Sequence, residues 1–156
     1  PTDRLSTSFD FKYETRSGWL LHNAGSEFTR FHSESLRPKL EVSYFLTANQ
    51  QARLSLQWVG IKAFERDRWR LPSTGGQLVS DETSTGLRRD FSISRLSFQA
   101  RYRWEIAPLS DLFVVYTRGS DLPSNIRSSF SNQLSEAWEQ ALVASLVVKF
   151  RYRFGN

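Results

Sequence analysis

The chain has 156 residues, with 21 Lys and Arg against 16 Asp and Glu, and neither Cys nor Met. Without Cys there can be no disulfide, thiolate nucleophile or Cys-ligated metal. A net charge of +5 admits anionic partners, but the Arg residues are spread through alternating stretches rather than gathered in a basic run, which argues against nucleic acid. The longest apolar stretches, Leu112–Tyr116 and Ala141–Val148, are far too short for a membrane-spanning helix. A β-barrel stays open at a mean hydropathy of −0.47, because half of its strand residues face water.

Taken in chain order, the first strand is predicted from Arg4 to about Leu21. Its odd positions run Leu5, Thr7, Phe9, Phe11, Tyr13, Thr15, Ser17, Trp19 and Leu21, and its even positions are polar or charged up to Gly18. A period of two is the mark of a strand with one set of side chains on each face. A polar loop is expected over about 22–33, with Asn23 and Gly25 as turn formers. The second strand, about Glu34 to Thr47, puts Leu40, Val42, Tyr44 and Leu46 on one face. Pro38 removes a ladder donor there and weakens pairing locally. Ala48-Asn49-Gln50 is a short connector into a third strand with Ala52, Leu54, Leu56 and Trp58 on one face and Arg53, Ser55 and Gln57 on the other, running on to about Phe64.

A long connection over about 68–90 contains Pro72, Gly75, Gly76 and Gly86. The fourth strand sets Leu96, Phe98, Ala100, Tyr102, Trp104 and Ile106 against Ser97, Gln99, Arg101, Arg103 and Glu105. Ala107-Pro108-Leu109-Ser110 makes a tight turn into a fifth strand, about Asp111 to Arg118, and a second long loop covers about 119–140. The last strand has Leu142, Ala144, Leu146, Val148, Phe150, Tyr152 and Phe154 on an entirely apolar face, and on the other Val143, Ser145 and Val147, turning cationic with Lys149, Arg151 and Arg153.

The connections alternate long, short, long, short, long. Such asymmetry between the two ends of a sheet is expected of outer-membrane barrels, which have short periplasmic turns and long outer loops. The reading is therefore all-β: an antiparallel meander of about six long strands forming the C-terminal part of a transmembrane outer-membrane β-barrel. Six strands are too few to close, since the smallest such barrels have about eight, and open edges in lipid cost several kcal/mol per unsatisfied group. The missing Met and the start at Pro1 likewise predict a piece of something longer, with N-terminal strands of the same barrel as its partners.

Three stretches carry a resemblance: Ala52–Gly60, Arg95–Gly119 with its strand–Ala-Pro-Leu-Ser–strand unit, and Leu146–Phe154. They resemble the C-terminal barrel of a bacterial outer-membrane family of unknown function whose members typically carry an N-terminal carbohydrate-binding-like module. The resemblance implies a porin-like fold in the Gram-negative outer membrane, with lipid, lipopolysaccharide and the barrel-assembly machinery as partners. It assigns no activity, and no sugar-binding residue can be carried over because the module is not in this chain. Such barrels often end on an aromatic residue read by the assembly machinery; here Phe154 is displaced from the end by Gly155-Asn156.

No catalytic motif is present: there is neither a Gly-x-Ser-x-Gly elbow nor a phosphate loop. No enzyme activity and no cofactor are expected. His22 and His32 read as solvated loop histidines rather than metal ligands. Asp81, Glu82 and Asp90 keep a loop wet or bridge divalent ions, with a dedicated cation site as the alternative. The one constellation with chemical content is a lumen-facing basic cluster of Arg53, Arg101, Arg103, Lys149, Arg151 and Arg153, set against Glu41, Glu105 and Asp111. Two readings compete: a cationic ring that favours anions, or a cross-strand ion network that fills the lumen and fixes register. On the opposite face Tyr44, Trp104, Tyr152 and Phe154 form a candidate lipid-facing aromatic girdle. The function expected is an outer-membrane barrel segment, pore or transport-linked. The alternatives are a membrane anchor with a filled lumen for a carbohydrate-binding module and, more weakly, a soluble basic β-sheet binding module.

Overall fold

The computed structural model describes residues 3–81 and 86–154. Strands β1 (Leu5–His22), β2 (Glu27–Thr47) and β3 (Gln50–Arg70) are followed by a two-residue β4 (Val79–Ser80), then β5 (Phe91–Ala107) and β6 (Ser110–Pro123), helix α1 (Phe130–Glu139) and β7 (Val143–Arg151). All pairing is antiparallel. The sheet order is β1-β2-β3-β5-β6-β7, with β4 added beside β3. The meander is thus the one expected, and it is an open sheet: β1 and β7 each keep an unpaired edge.

Register follows the apolar alternation, because a slip of one residue would exchange the two faces. Leu146 stands opposite Tyr116, Tyr116 opposite Ala100, Ala100 opposite Leu54 and Leu54 opposite Val42, giving one continuous apolar row across five strands. The intervening row on the other face runs Ser145, Thr117, Gln99, Ser55, Glu41 and Ser8. The sheet therefore has an apolar and a polar face, as the period of two requires. The β2–β3 ladder skips Arg37 and Pro38, where the proline supplies no donor.

The connections differ from expectation in extent. The first is only residues 23–26, because 27–33 continue as strand opposite 63–70 of β3. The second and fourth are two-residue turns, at 48–49 and 108–109. The third spans 71–90 and includes β4. The fifth, 124–142, is not a plain loop but holds α1. Thus the two tightest turns share one end of the sheet and the two long connections share the other.

The parity of β1 also changes within the strand. Gly18 has φ +89° and forms a bulge between Ser17, opposite His32, and Trp19, opposite Phe31. Glycine enters that conformation freely, and the extra residue turns the following side chains over. Trp19 was expected on the apolar face with Phe9 and Phe11. It instead crosses to the polar face, where its ring meets Phe31 and Phe91 at 6.4 and 5.8 Å.

Helix α1 begins at Ser129, whose Oγ accepts from the Asn132 N–H at 3.2 Å. This is an N-cap that satisfies one of the free donors of the first turn. Phe130, Leu134 and Ala137 fall at i, i+4 and i+7, one helical stripe. That stripe packs on Trp58 and Leu96 of the apolar face, and together they make the principal core. A buried polar chain clamps the helix: Trp58 Nε1 donates to Ser94 Oγ at 2.9 Å, Ser94 Oγ to Gln133 O at 3.0 Å, and Gln133 Nε2 to Ser92 Oγ at 3.2 Å. Arg118, on the same face, donates from Nε to Trp138 O at 2.9 Å and stacks 5.4 Å from the Trp138 ring. The loop end of the apolar face is thus covered by protein, and the rest of it is bare.

The Trp58 indole folds back over Gly60. A Cβ at Gly60 would lie 2.3 Å from Trp58 Cη2 and 2.9 Å from Phe130 Cδ1. Gly60→Ala should cost about 1–3 kcal/mol through overpacking. Denaturant unfolding measures this, with Trp emission reporting on the displaced indole; an unchanged midpoint would show that the pocket yields freely.

Candidate functional site

The structure gathers the polar-face cations near the short-turn end but does not treat them alike. Asp111 opens β6 beside the Pro108-Leu109 turn and is 1% exposed. Its Oδ1 accepts from Arg103 Nε and Nη2 at 3.0 and 2.9 Å, and its Oδ2 accepts from Arg151. One buried carboxylate thus bridges β5 and β7, and charge-assisted bonds of this kind fix both strands to β6. Arg103 also lies 5.8 Å from the Phe113 ring. Arg153 follows β7 and ties the chain end to the same turn, its backbone N–H donating to Ser110 Oγ at 3.1 Å.

Arg53 and Arg101 face each other directly in the β3–β5 ladder. Neither has an ion pair among the described residues. Lys149, opposite Phe113, has none either. Of the carboxylates expected near the cluster, Glu41 is held by Lys39 at 2.9 Å, Asp111 by its two arginines, and Glu105 forms no ion pair among the described residues. An open groove of about 530 Å³ lies on this face and is lined by Arg53, Arg101, Glu41 and a set of Ser and Gln side chains from β1, β2, β3 and β5.

Tyr44 and Trp104 are exposed on the apolar face next to the two tight turns. Tyr152 and Phe154 lie beyond the last paired residue of β7 and continue its apolar side, with rings 4.7 Å apart.

The other candidates do not assemble into a site. His22 and His32 sit in strands rather than in a loop, because the 22–33 connection is shorter than expected. His22 Nε2 bonds Gly25 O at 2.9 Å, and His32 Nδ1 bonds Ser17 Oγ at 3.1 Å. Asp90 accepts the Glu65 N–H at 2.7 Å and pairs with Arg88 at 3.3 Å, so it is committed to holding the loop; Glu82 lies outside the described residues. No group of three potential metal ligands occurs among the described residues.

Two features were missed by sequence reasoning. One is the cluster of Trp19, Phe31 and Phe91, which closes the polar face at the loop end, with Phe31 and Phe91 rings 5.3 Å apart. The signal is Gly18, where the alternation of β1 breaks. The other is the anchor of the 71–90 connection. Glu65 Oε1 accepts from Arg68 Nε at 2.6 Å, both side chains being about one-tenth exposed, and Glu65 Oε2 accepts the Arg89 N–H. Arg68 Nη2 reaches Leu87 O at 2.7 Å, and Arg88 Nη2 reaches Glu65 O at 2.7 Å. Glu65→Ala removes the carboxylate that joins Arg68 of β3 to the Arg89 N–H of the loop and should weaken loop docking by about 1–3 kcal/mol. Limited proteolysis should then cut within 71–90 faster while the sheet core resists; unchanged cleavage would mean the loop is held elsewhere.

The family model for a domain of unknown function, DUF5916, matches residues 2–154. The chain belongs to that family. The DUF5916 match spans all six long strands, so the open meander and its two faces are the family's domain in this chain. No curated protein and no solved structure matches the chain.

Proposed function

We propose that the chain is a segment of an outer-membrane β-barrel, pore or transport-linked. The observation that carries this reading is the bare apolar face. Leu146 is 65% exposed, Val148 61% and Phe150 59%, and Leu146 lies in one register row with Leu54 at 44%. A contiguous apolar surface spread over several strands is untenable in water and marks a membrane or protein interface. Lipid suits it, because the opposite face carries hydroxyls, amides and charges, with apolar residues such as Val115 and Val147 among them, close to the alternation of a barrel wall. Tyr44, Trp104, Tyr152 and Phe154 stand at the end where an interfacial girdle belongs. The tight turns at 48–49 and 108–109 would be periplasmic, and the long connections would face outward. The edges of β1 and β7 require closing strands from outside this chain, as lipid tolerates no unpaired edge.

The filled-lumen anchor is the second reading, and Asp111 favours it: a carboxylate spent on two arginines is a structural bridge. Membrane fractionation of the full-length protein, followed by planar-bilayer recording, separates the possibilities. Recovery in the outer membrane with anion-preferring conductance is the expected result. Recovery there without conductance would establish the anchor. A chain that stays soluble without detergent would overturn the barrel.

A further inference from the structure

The polar-face arginines divide by their counter-charge. Arg103 and Arg151 share Asp111. Arg53 and Arg101 are register partners, so their Cβ atoms are about 5 Å apart on one face, and like charges placed so are destabilising. Among the described residues Arg101 makes neither an ion pair nor a hydrogen bond. Arg53 finds only the Gln51 amide, whose oxygen accepts at 3.1 Å once that group is turned to face it. The carboxylate that shares the groove, Glu41, is opposite Ser55 and is already held by Lys39 at 2.9 Å. The pair is open to the groove, which at about 530 Å³ falls in the range of small-molecule sites.

We propose that Arg53 and Arg101 together bind an oxyanion, the carboxylate or phosphate group of a small solute. A guanidinium presents a planar fork that matches either group with two bonds. An anion between two such forks converts their repulsion into a shared attraction. The hydroxyl of Ser55 on the same groove wall supplies a further donor. The inference rests on the barrel reading only for the enclosure of the groove by closing strands, not for any conductance.

Calorimetric titration of the full-length protein in detergent at low salt tests it, with inorganic phosphate and succinate as separate probes. Saturable binding of at least one probe is expected, and the one preferred identifies the group recognised. Arg53→Gln and Arg101→Gln should each weaken binding at least about tenfold, the loss of one charge-assisted bond. Arg101→Lys keeps the charge and should recover part of that loss. Arg103→Gln, whose guanidinium is already committed to Asp111, should change binding less than about twofold. No saturable binding of either probe, as would follow if a closing strand supplied carboxylates to the pair, overturns the site. Equal weakening by Arg103→Gln overturns it too. A protein that titrates but does not insert into membranes would sink the barrel reading and leave the site standing.

Discussion

Leu146→Arg in the full-length protein should lower its stability in lipid bilayers by about 2–4 kcal/mol, the cost of a charge near the midplane of a barrel's outer wall. Leu146 lies in the middle of the bare apolar region, two residues from Val148 towards the tight-turn end and two from Ala144, which stands opposite Arg118. Ser145→Arg should cost far less, since Ser145 is opposite Thr117 on the polar face. The comparison is internal, as the two positions are adjacent and share backbone pairing. Refolding into vesicles over a urea series measures both. Equal losses, or no loss at Leu146, would remove the apolar face from lipid.

Trp58→Ala should cost about 3–5 kcal/mol, the range for deleting a buried large aromatic. Trp58 is 1% exposed, and its ring sits 6.1 Å from Phe130 in an edge-on arrangement. Its Nε1 opens the hydrogen-bond chain through Ser94 to the α1 backbone. The substitution therefore empties the main core and frees the helix at once. Proteolysis within 124–142 should accelerate along with the loss of global stability. A cost below about 1 kcal/mol with the helix still protected would mean that α1 is held mainly by Arg118 and Leu96.

The two long-range events, the bulge at Gly18 and the docking of α1, were the hardest to read. Gly18 interrupts an otherwise strict alternation, and a glycine in a strand can be either an empty position or a bulge. Only the pairing with β2, where His32 and Phe31 take Ser17 and Trp19, distinguishes them. The α1 stripe Phe130, Leu134, Ala137 and the Ser129 cap were both visible in the chain. They were masked by the Ser, Asn and Gln residues around them, which suit a loop equally well.

The site shows the same division. Which arginines lie on the polar face follows from parity alone, because a strand's side chains alternate and the apolar set leaves no choice of face. Which of them are neutralised does not follow. Asp111 could have served Glu105's neighbours or none; the two-residue turn at 108–109 and the register of β7 bring Arg103 and Arg151 to it.

The sequence by itself determined the antiparallel meander, the order of its strands, the short turns at one end and the face of each strand residue up to the bulge at Gly18. Periodicity, proline and turn chemistry are local, and they act within a few residues of where they are written. The tertiary structure alone decided that Trp19 crosses faces, that α1 covers the loop end of the apolar side, and that Arg53 stands against Arg101 without a counter-charge. Each of these depends on which residue of a distant strand lies opposite, and register is a property of paired strands rather than of any one of them.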